Sequence, residues 1–565
     1  MILSSRSRMG VLVSPIAFVT IIGGLMAALA QRGTVSHAAR IHESSHPHID
    51  CAESPLCTDV WNPTAFGPDY KYVGHDEPSN MFYSNVPGSG NRNLWFVKLP
   101  SDPTPGPRGV PKASQTFNFE LHPAFWFGMA MCDTQSYPEQ VSTCTPDSDR
   151  NIVDPAVSAK HPGTAFMEMQ FYPPGWASFA LPDGISCDPT KWCAALNIDS
   201  YSNNPVTGQN NNSACLASAG VEYVNFAFIT KSGVSQAPAN PLLATAATII
   251  PDPTKDLFMN SGDTIAVKMR DTPSGLRIDI LDLTTDQHGL MTASAANGFG
   301  QVLFAPTAST CTNIPYNFHP MYSTSSEQTR VPWAAHSYNI AFADEIGHFD
   351  FCSSVETSTG TCSGLEGRVG DQEKADVDDV GCLPASQSLL IQVSGCVGQN
   401  DGFDGVPYLK GTWPGGRFAL NPNHPTPIQF SSPLTGFRFN TPYSRSAFEA
   451  DLPNIEVAAP GSANHCIRSG PKAGIGCHLF PLTDDGTPAP FYPYFSSTKT
   501  TLHLDDQLNI PLCVWQFGDH IPGSITDFGR NKQYGSFLNL AYTSSGGKPI
   551  HLIEDFRQIL NQNPC

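Results

Sequence analysis

One short stretch carries several chemically competent side chains at alternate positions. In Thr164-Ala165-Phe166-Met167-Glu168-Met169-Gln170-Phe171-Tyr172, the even positions from 166 hold Phe, Glu, Gln and Tyr, and the odd positions hold Ala, Met, Met and Phe. A strand sends alternate side chains to opposite faces. One face is therefore wholly apolar, while the other mixes a carboxylate, an amide and two rings. Sugars bind such surfaces, with CH faces stacked on rings and hydroxyls taking directed hydrogen bonds. If neighbouring strands share the sheet, the face gathers Glu120, His122, Trp126, Glu168, Gln170, Tyr172, Tyr223, Asn225, Arg277 and Asp279. Glu120 and Glu168 would then be the acid/base pair of a glycosidase, at about 5 Å for retention or about 6.5–9.5 Å for inversion. The plainer alternative is a face covered by a second domain or by long loops, its polar groups simply satisfied.

Other constellations are weaker. His336, Glu345, His348 and Asp350 have the types for a metal site but lack the helical H-E-x-x-H spacing, so strand-end polar residues are the favoured reading. Asp371, Glu373, Asp376, Asp378, Asp379, Asp401 and Asp404 could hold calcium, yet their spacing fits no twelve-residue calcium loop and suits a solvated acidic loop better. His37, His42, His46 and His48 sit in a polar N-terminal segment without preformed geometry. With no G-x-S-x-G elbow, Walker A motif or dinucleotide glycine loop, no nucleotide or organic cofactor is expected.

The elements that would position these residues are strands. Fifty Pro and 47 Gly punctuate the chain, and only 14% of residues are charged. Strand-length runs at 94–99, 115–121, 124–131, 164–172, 192–199, 221–230, 263–270 and 276–283 are separated by turn-forming loops. Asp271-Thr272-Pro273-Ser274-Gly275 marks a hairpin between the last two. The fold class is all-β. A jelly-roll-like antiparallel β-sandwich is expected over 60–351, an acidic Cys/Gly-rich connector over 352–420, and a smaller β-rich domain over 421–565. That domain should close with an amphipathic helix over Leu552–Asn561, where Ile553, Phe556, Ile559 and Leu560 fall at helical spacing.

Compartment follows from the ends and the cysteines. Arg6 and Arg8 precede an apolar run ending Ala28-Leu29-Ala30, the pattern of a signal peptide over 1–30, followed by a flexible segment over 31–59. A membrane association is expected only if that run stays uncleaved. Sixteen cysteines include the close pairs Cys51/Cys57, Cys132/Cys144, Cys187/Cys193, Cys352/Cys362, Cys382/Cys396 and Cys466/Cys477, which read as disulfides of a secreted protein. A net charge of −19, with no Lys/Arg run after the N-terminus, argues against nucleic acid as partner.

Two resemblances add to this. The strand pattern over 60–350 resembles the concanavalin-like jelly rolls, which include lectins and glycanases. The nearest counterpart of their Glu-x-Asp-x-x-Glu motif is Arg277-Ile278-Asp279-Ile280-Leu281-Asp282, with Arg in the nucleophile position. The segments Gly74-His75-Asp76-Glu77-Pro78-Ser79, Trp515-Gln516-Phe517-Gly518, Asp527-Phe528-Gly529 and Tyr534-Gly535 resemble secreted bacterial proteins of no assigned activity, which implies export and a shared fold. The expected function is extracellular binding of a glycan, with hydrolysis if the two carboxylates meet. The alternatives are a non-catalytic, disulfide-stabilised structural or surface protein and a metal-dependent hydrolase around His336 and His348.

Overall fold

The computed structural model describes residues 77–84, 86–100, 119–135, 165–173, 188, 190–204, 209–220, 222–321, 340–347, 349–351, 354–356, 361–362, 365–366, 373–374, 406–408, 428–452, 496–503, 509–516, 536–543 and 549–560. All belong to the unit His46–Cys565. The principal strands are β1 Glu77–Tyr83, β2 Arg92–Lys98, β3 Phe119–Met131, β4 Ala165–Tyr172, β5 Lys191–Tyr201, β6 Glu222–Phe228, β7 Thr264–Thr272, β8 Gly275–Asp282, β9 Gln287–Thr292, β10 Ala341–Gly347, β11 Gln429–Ser431, β12 Arg445–Leu452, β13 Ser496–His503, β14 Asn509–Gln516, β15 Ser536–Thr543 and β16 Pro549–Leu560. They form two antiparallel sheets. The first runs β15-β16-β12-β1-β10-β3-β4-β5-β6, and the second β9-β8-β7-β2-β11-β14-β13.

One apolar core joins the two sheets. Phe125, Phe127, Met129, Met167, Met169, Phe171, Leu196 and Phe342 from the first meet Trp95, Val97, Val267, Met269, Ile278, Ile280, Phe430 and Trp515 from the second. The rings interlock across the gap: Phe342 stacks on Phe430 at 3.8 Å, and Trp95 lies 4.9 Å from Phe127 and 5.3 Å from Phe82. Each such side chain contributes roughly 1.5–3 kcal/mol by leaving water. The β7–β8 hairpin is as expected. Thr272 pairs with Gly275, whose φ of +113° suits glycine; a Cβ there would meet the Ala293 carbonyl oxygen at 2.3 Å.

Several expectations need correction. The strands between 429 and 560 do not make a sheet of their own: β12 pairs with β1, and β11 pairs with β2. A boundary near 421 therefore does not divide the sheets. The C-terminal helix is a strand instead. β16 pairs with β12, as in Ile559 opposite Ala447, and with β15, as in Phe556 opposite Phe537. Ladders on its two sides, overlapping over 554–557, give the backbone partners outside its own segment, so non-local pairing overrides the local periodicity. The described part of the run at 115–121 is continuous with the run at 124–131 in one strand, β3, which carries Pro123. Proline cannot donate to a ladder, and β3–β10 pairing shifts register just there, between Asp344 and Ile346.

Two short helices were not anticipated: α1, Ser213–Ala219, and α2, Ala246–Ile249. The side chain of Asn212 caps α1 by accepting from Cys215 N at 3.1 Å. Cys215, in the first turn of α1, is disulfide-bonded to Cys311 across a sequence separation of 96. Cys132 and Cys193 are disulfide-bonded too; Cys144 and Cys187, their expected partners, lie outside the described residues. So do the N-terminal apolar run, the histidine segment, the strand expected at 389–393 and all the candidate calcium carboxylates except Glu373. No helix among the described residues is long and apolar enough to cross a membrane.

Candidate functional site

β4 alternates as its sequence requires. Met167, Met169 and Phe171 enter the shared core, and Phe166, Glu168, Gln170 and Tyr172 take the opposite face. On that face the polar side chains bond to one another along the strand. The Tyr172 hydroxyl donates to Gln170 Oε1, and Gln170 Nε2 donates to a Glu168 carboxylate oxygen. From β5, Asn197 Nδ2 donates to Gln170 Oε1 and, at 3.2 Å, to the Tyr172 oxygen. The donors along β4 point toward Glu168, so the bonds polarise one another toward the charge.

The rings beside this ladder are enclosed. Trp126 stands opposite Gln170 in the β3–β4 register, fully buried, with its ring edge-on to Phe166 at 5.5 Å. Its indole lies over Gly128, where a Cβ would come within 2.4 Å of the ring. Phe166 is also fully buried, and Tyr172 is 1% exposed. Tyr172 packs with Cys193, Ala195, Phe226 and Phe228 as a second apolar cluster, on the side of the sheet away from the main core. Glu168 and Gln170 are half-buried.

The remaining residues expected on this face are distributed differently. Tyr223 and Asn225 lie on the other side of β6, because β5–β6 pairing puts Asn225 opposite the core residue Ile198, whereas Phe226 stands opposite Asn197. Tyr223 donates to buried Asp133 at 3.4 Å, and Asn225 Oδ1 accepts from Gly300 N at 2.9 Å. Burial, and then the Asp133 charge, push the Tyr223 phenol well above its usual range. Gln301 Nε2 donates to the same Asp133 at 2.5 Å. This cluster fastens the segment after β3 to the loop near Gly300.

Arg277 and Asp279 belong to β8 in the second sheet, so they share no face with Glu168. There Arg277 Nε and Nη2 reach the Asp279 carboxylate at 2.9 and 2.5 Å, which raises the Arg277 pKa.

In the strand register Glu120 lies well along the sheet from Glu168. Gly128, opposite Glu168, pairs with Ala341, whereas Glu120 pairs with Ile346. Five positions along β10 correspond to about 16 Å at strand rise. The shift beside Pro123 sets five steps of β3 against two of β10, so the regular register is interrupted between Phe125 and Glu120. A glycosidase pair at about 5–9.5 Å is therefore not what the register provides. His122 falls inside this irregular stretch. His336 and His348 lie outside the described residues, and among the described residues no group of three or more His, Cys, Asp or Glu could hold a metal.

Sequence reasoning missed Asn197, Phe226 and Phe228 as members of the Glu168 face. Asn197 had a signal, being an amide on the side opposite the apolar positions Trp192, Ala194, Leu196 and Ile198 of its strand. In comparisons with family models, curated proteins and solved structures, the chain matches none.

Proposed function

We propose that the protein is a non-catalytic, disulfide-stabilised structural or surface protein that works outside the cytoplasm. The observation that carries this reading is the enclosure of the rings on the Glu168 face: Trp126 and Phe166 have no exposed ring surface, and Tyr172, Gln170, Asn197 and Glu168 are hydrogen-bonded to one another. A sugar-binding cleft needs open rings and polar groups aimed at a ligand. A ladder of bonded side chains beside buried rings instead fixes register and rigidifies the sheet. Export is supported by the basic and apolar N-terminal run and by the bonded cysteines Cys132, Cys193, Cys215 and Cys311.

Glu168→Gln tests the reading. It keeps the shape and removes the charge that Gln170 donates to, so stability should fall by about 1–2 kcal/mol, toward the low end for a bond to a half-buried charged group. Polysaccharide hydrolysis should be absent in both proteins. Turnover of any glycan by the natural chain that Glu168→Gln abolishes at unchanged stability would refute the proposal and restore a catalytic carboxylate.

A further inference from the structure

A lysine, an asparagine and an aspartate meet between β5 of the first sheet and the start of β7 in the second. Lys191 opens β5 and stands directly opposite Asn260, in the two-residue strand Met259–Asn260 that pairs antiparallel with it. Lys191 Nζ donates to Asn260 Oδ1, which sets the amine beside Cγ, the amide carbon. Among the described residues this lysine has no carboxylate partner, whereas Lys255 pairs with Asp252 at 3.0 Å.

The aspartate holds the other end of the same amide. Asp263 Oδ2 accepts from Asn260 Nδ2 at 2.9 Å and from Asn260 N at 2.7 Å. Asp263 N donates to Asn260 O at 3.1 Å, closing a turn in which Gly262 has a φ of +83°. Asp263 is 4% exposed. Burial, and then Asp282 beside it, raise its pKa, which favours the neutral acid that can give a proton.

We propose that Lys191 and Asn260 join in an intramolecular isopeptide bond, made by the folded chain itself with Asp263 as acid and base. This rests on the reading of the protein as a structural or surface one, and deepens it. The neutral Lys191 amine attacks Cγ, so that the Nζ–Cγ bond forms and the Cγ–Nδ2 bond breaks. Asp263 gives its proton to Nδ2 and takes one back from Nζ. Ammonia leaves, the carboxyl group is regenerated, and no oxidant or further reactant is consumed. Amides resist amines in water; the fold supplies two reactants held together, with an acid at the leaving nitrogen. A lysine that merely donated to an amide would have no use for a buried acid on the amide's other side.

The bond would tie β5 to the turn that enters β7, and so the first sheet to the second. Both sides are already anchored: Trp192 Nε1 donates to Ser261 Oγ at 3.1 Å, and Leu99 N donates to Asp263 O at 2.9 Å. The bond would close a loop across a sequence separation of 69. It would constrain the unfolded chain as a disulfide does, and would survive reduction.

The test is peptide mapping by mass spectrometry of the full chain after reduction of its disulfides. The natural protein should give a branched peptide joining Lys191 to Asn260, lighter than its two linear parts by one ammonia, with no tryptic cleavage after Lys191. Lys191→Arg keeps the charge and should give linear peptides with a lower unfolding temperature. Asp263→Asn should leave Lys191 and Asn260 unjoined in a folded chain. Linear peptides from the natural chain overturn the proposal. So does an ammonia loss at Asn260 that persists in Lys191→Arg, which belongs to cyclisation onto Ser261 N, or a branch formed undiminished in Asp263→Asn. If Asp263→Asn fails to fold, Lys191→Arg decides alone, its side chain being only half-buried. Glycan turnover by the natural chain would remove the structural reading and leave a branched peptide standing, so the two are judged separately.

Discussion

Two acids in one turn show how local surroundings set opposite electrostatic roles. Asp252 is half-buried, and its carboxylate accepts from the Thr254 hydroxyl at 2.6 Å and the Thr254 N–H at 2.9 Å; these bonds, with that to Lys255, lower its pKa to about 2. Asp256 is buried, accepts from Asp252 N at 2.6 Å through one oxygen, and has no partner for the other. Burial raises its pKa from 3.8 to about 6. Between those two values the folded chain binds more protons at Asp256 than the unfolded chain, so this site makes stability fall as pH rises from 3.8 to about 6. Asp252 acts in the other direction, its stabilisation being lost as pH falls from 3.8 toward about 2. Asp256→Asn keeps an acceptor for Asp252 N and removes the titration. Denaturant unfolding at a series of pH values should show the variant losing less stability than the natural chain between pH 4 and 6, and a parallel pair of curves would show that Asp256 does not titrate in that window.

Among the elements, α1 and the segment around Cys311 are fastened twice. Beside the Cys215–Cys311 bond, Asn212 Nδ2 donates to the carbonyls of Ala305 and Thr310 at 3.0 and 3.1 Å, and Asn211 Nδ2 to Leu303 O at 2.9 Å. The double variant Cys215→Ala/Cys311→Ala should therefore fold with this segment in place, but with about 2–4 kcal/mol less stability, the usual cost of opening a long loop. Equal chemical stability would mean that the asparagine bonds alone define the junction. The same scale shows what was readable in the sequence. β2, β4, β5, β7 and β8 were legible because each has an apolar inner face against a more polar outer one. β6 was misassigned because both its faces carry buried residues, Tyr223 and Asn225 on one and Phe226 and Phe228 on the other, so alternation carried no direction. Arg277 and Asp279 were put on the wrong sheet because sheet membership is decided by non-local pairing, here β8 with β7 and β7 with β2. β16 misled for the same reason, its neighbours lying at 445–452 and 536–543.

For the whole molecule, the consequence is that early and late strands of the unit His46–Cys565 fold together. β1 lies between β10 and β12, and β2 pairs with both β7 and β11, so each receives a neighbour from beyond residue 428. The late segment also fills the core with Ile428, Phe430, Tyr443 and Trp515, all at most 2% exposed. Their polar atoms are tied to early and late partners alike: the Tyr443 hydroxyl donates to Ser89 O at 2.7 Å, and Trp515 Nε1 donates to Ser432 Oγ at 2.8 Å. At roughly 1.5–3 kcal/mol each, these four side chains supply about 6–12 kcal/mol, comparable to the whole net stability of a domain at about 5–15 kcal/mol. Removing them would also turn β1 and β2 into open edges, which promote aggregation. A fragment ending at residue 420 should therefore lack a cooperative thermal transition and lose the near-ultraviolet dichroism of packed aromatic rings, although it retains every strand once expected to form a self-sufficient sandwich. If that fragment instead melts cooperatively with the dichroism of the full chain, the two sheets are completed without the late strands and the single shared core is refuted.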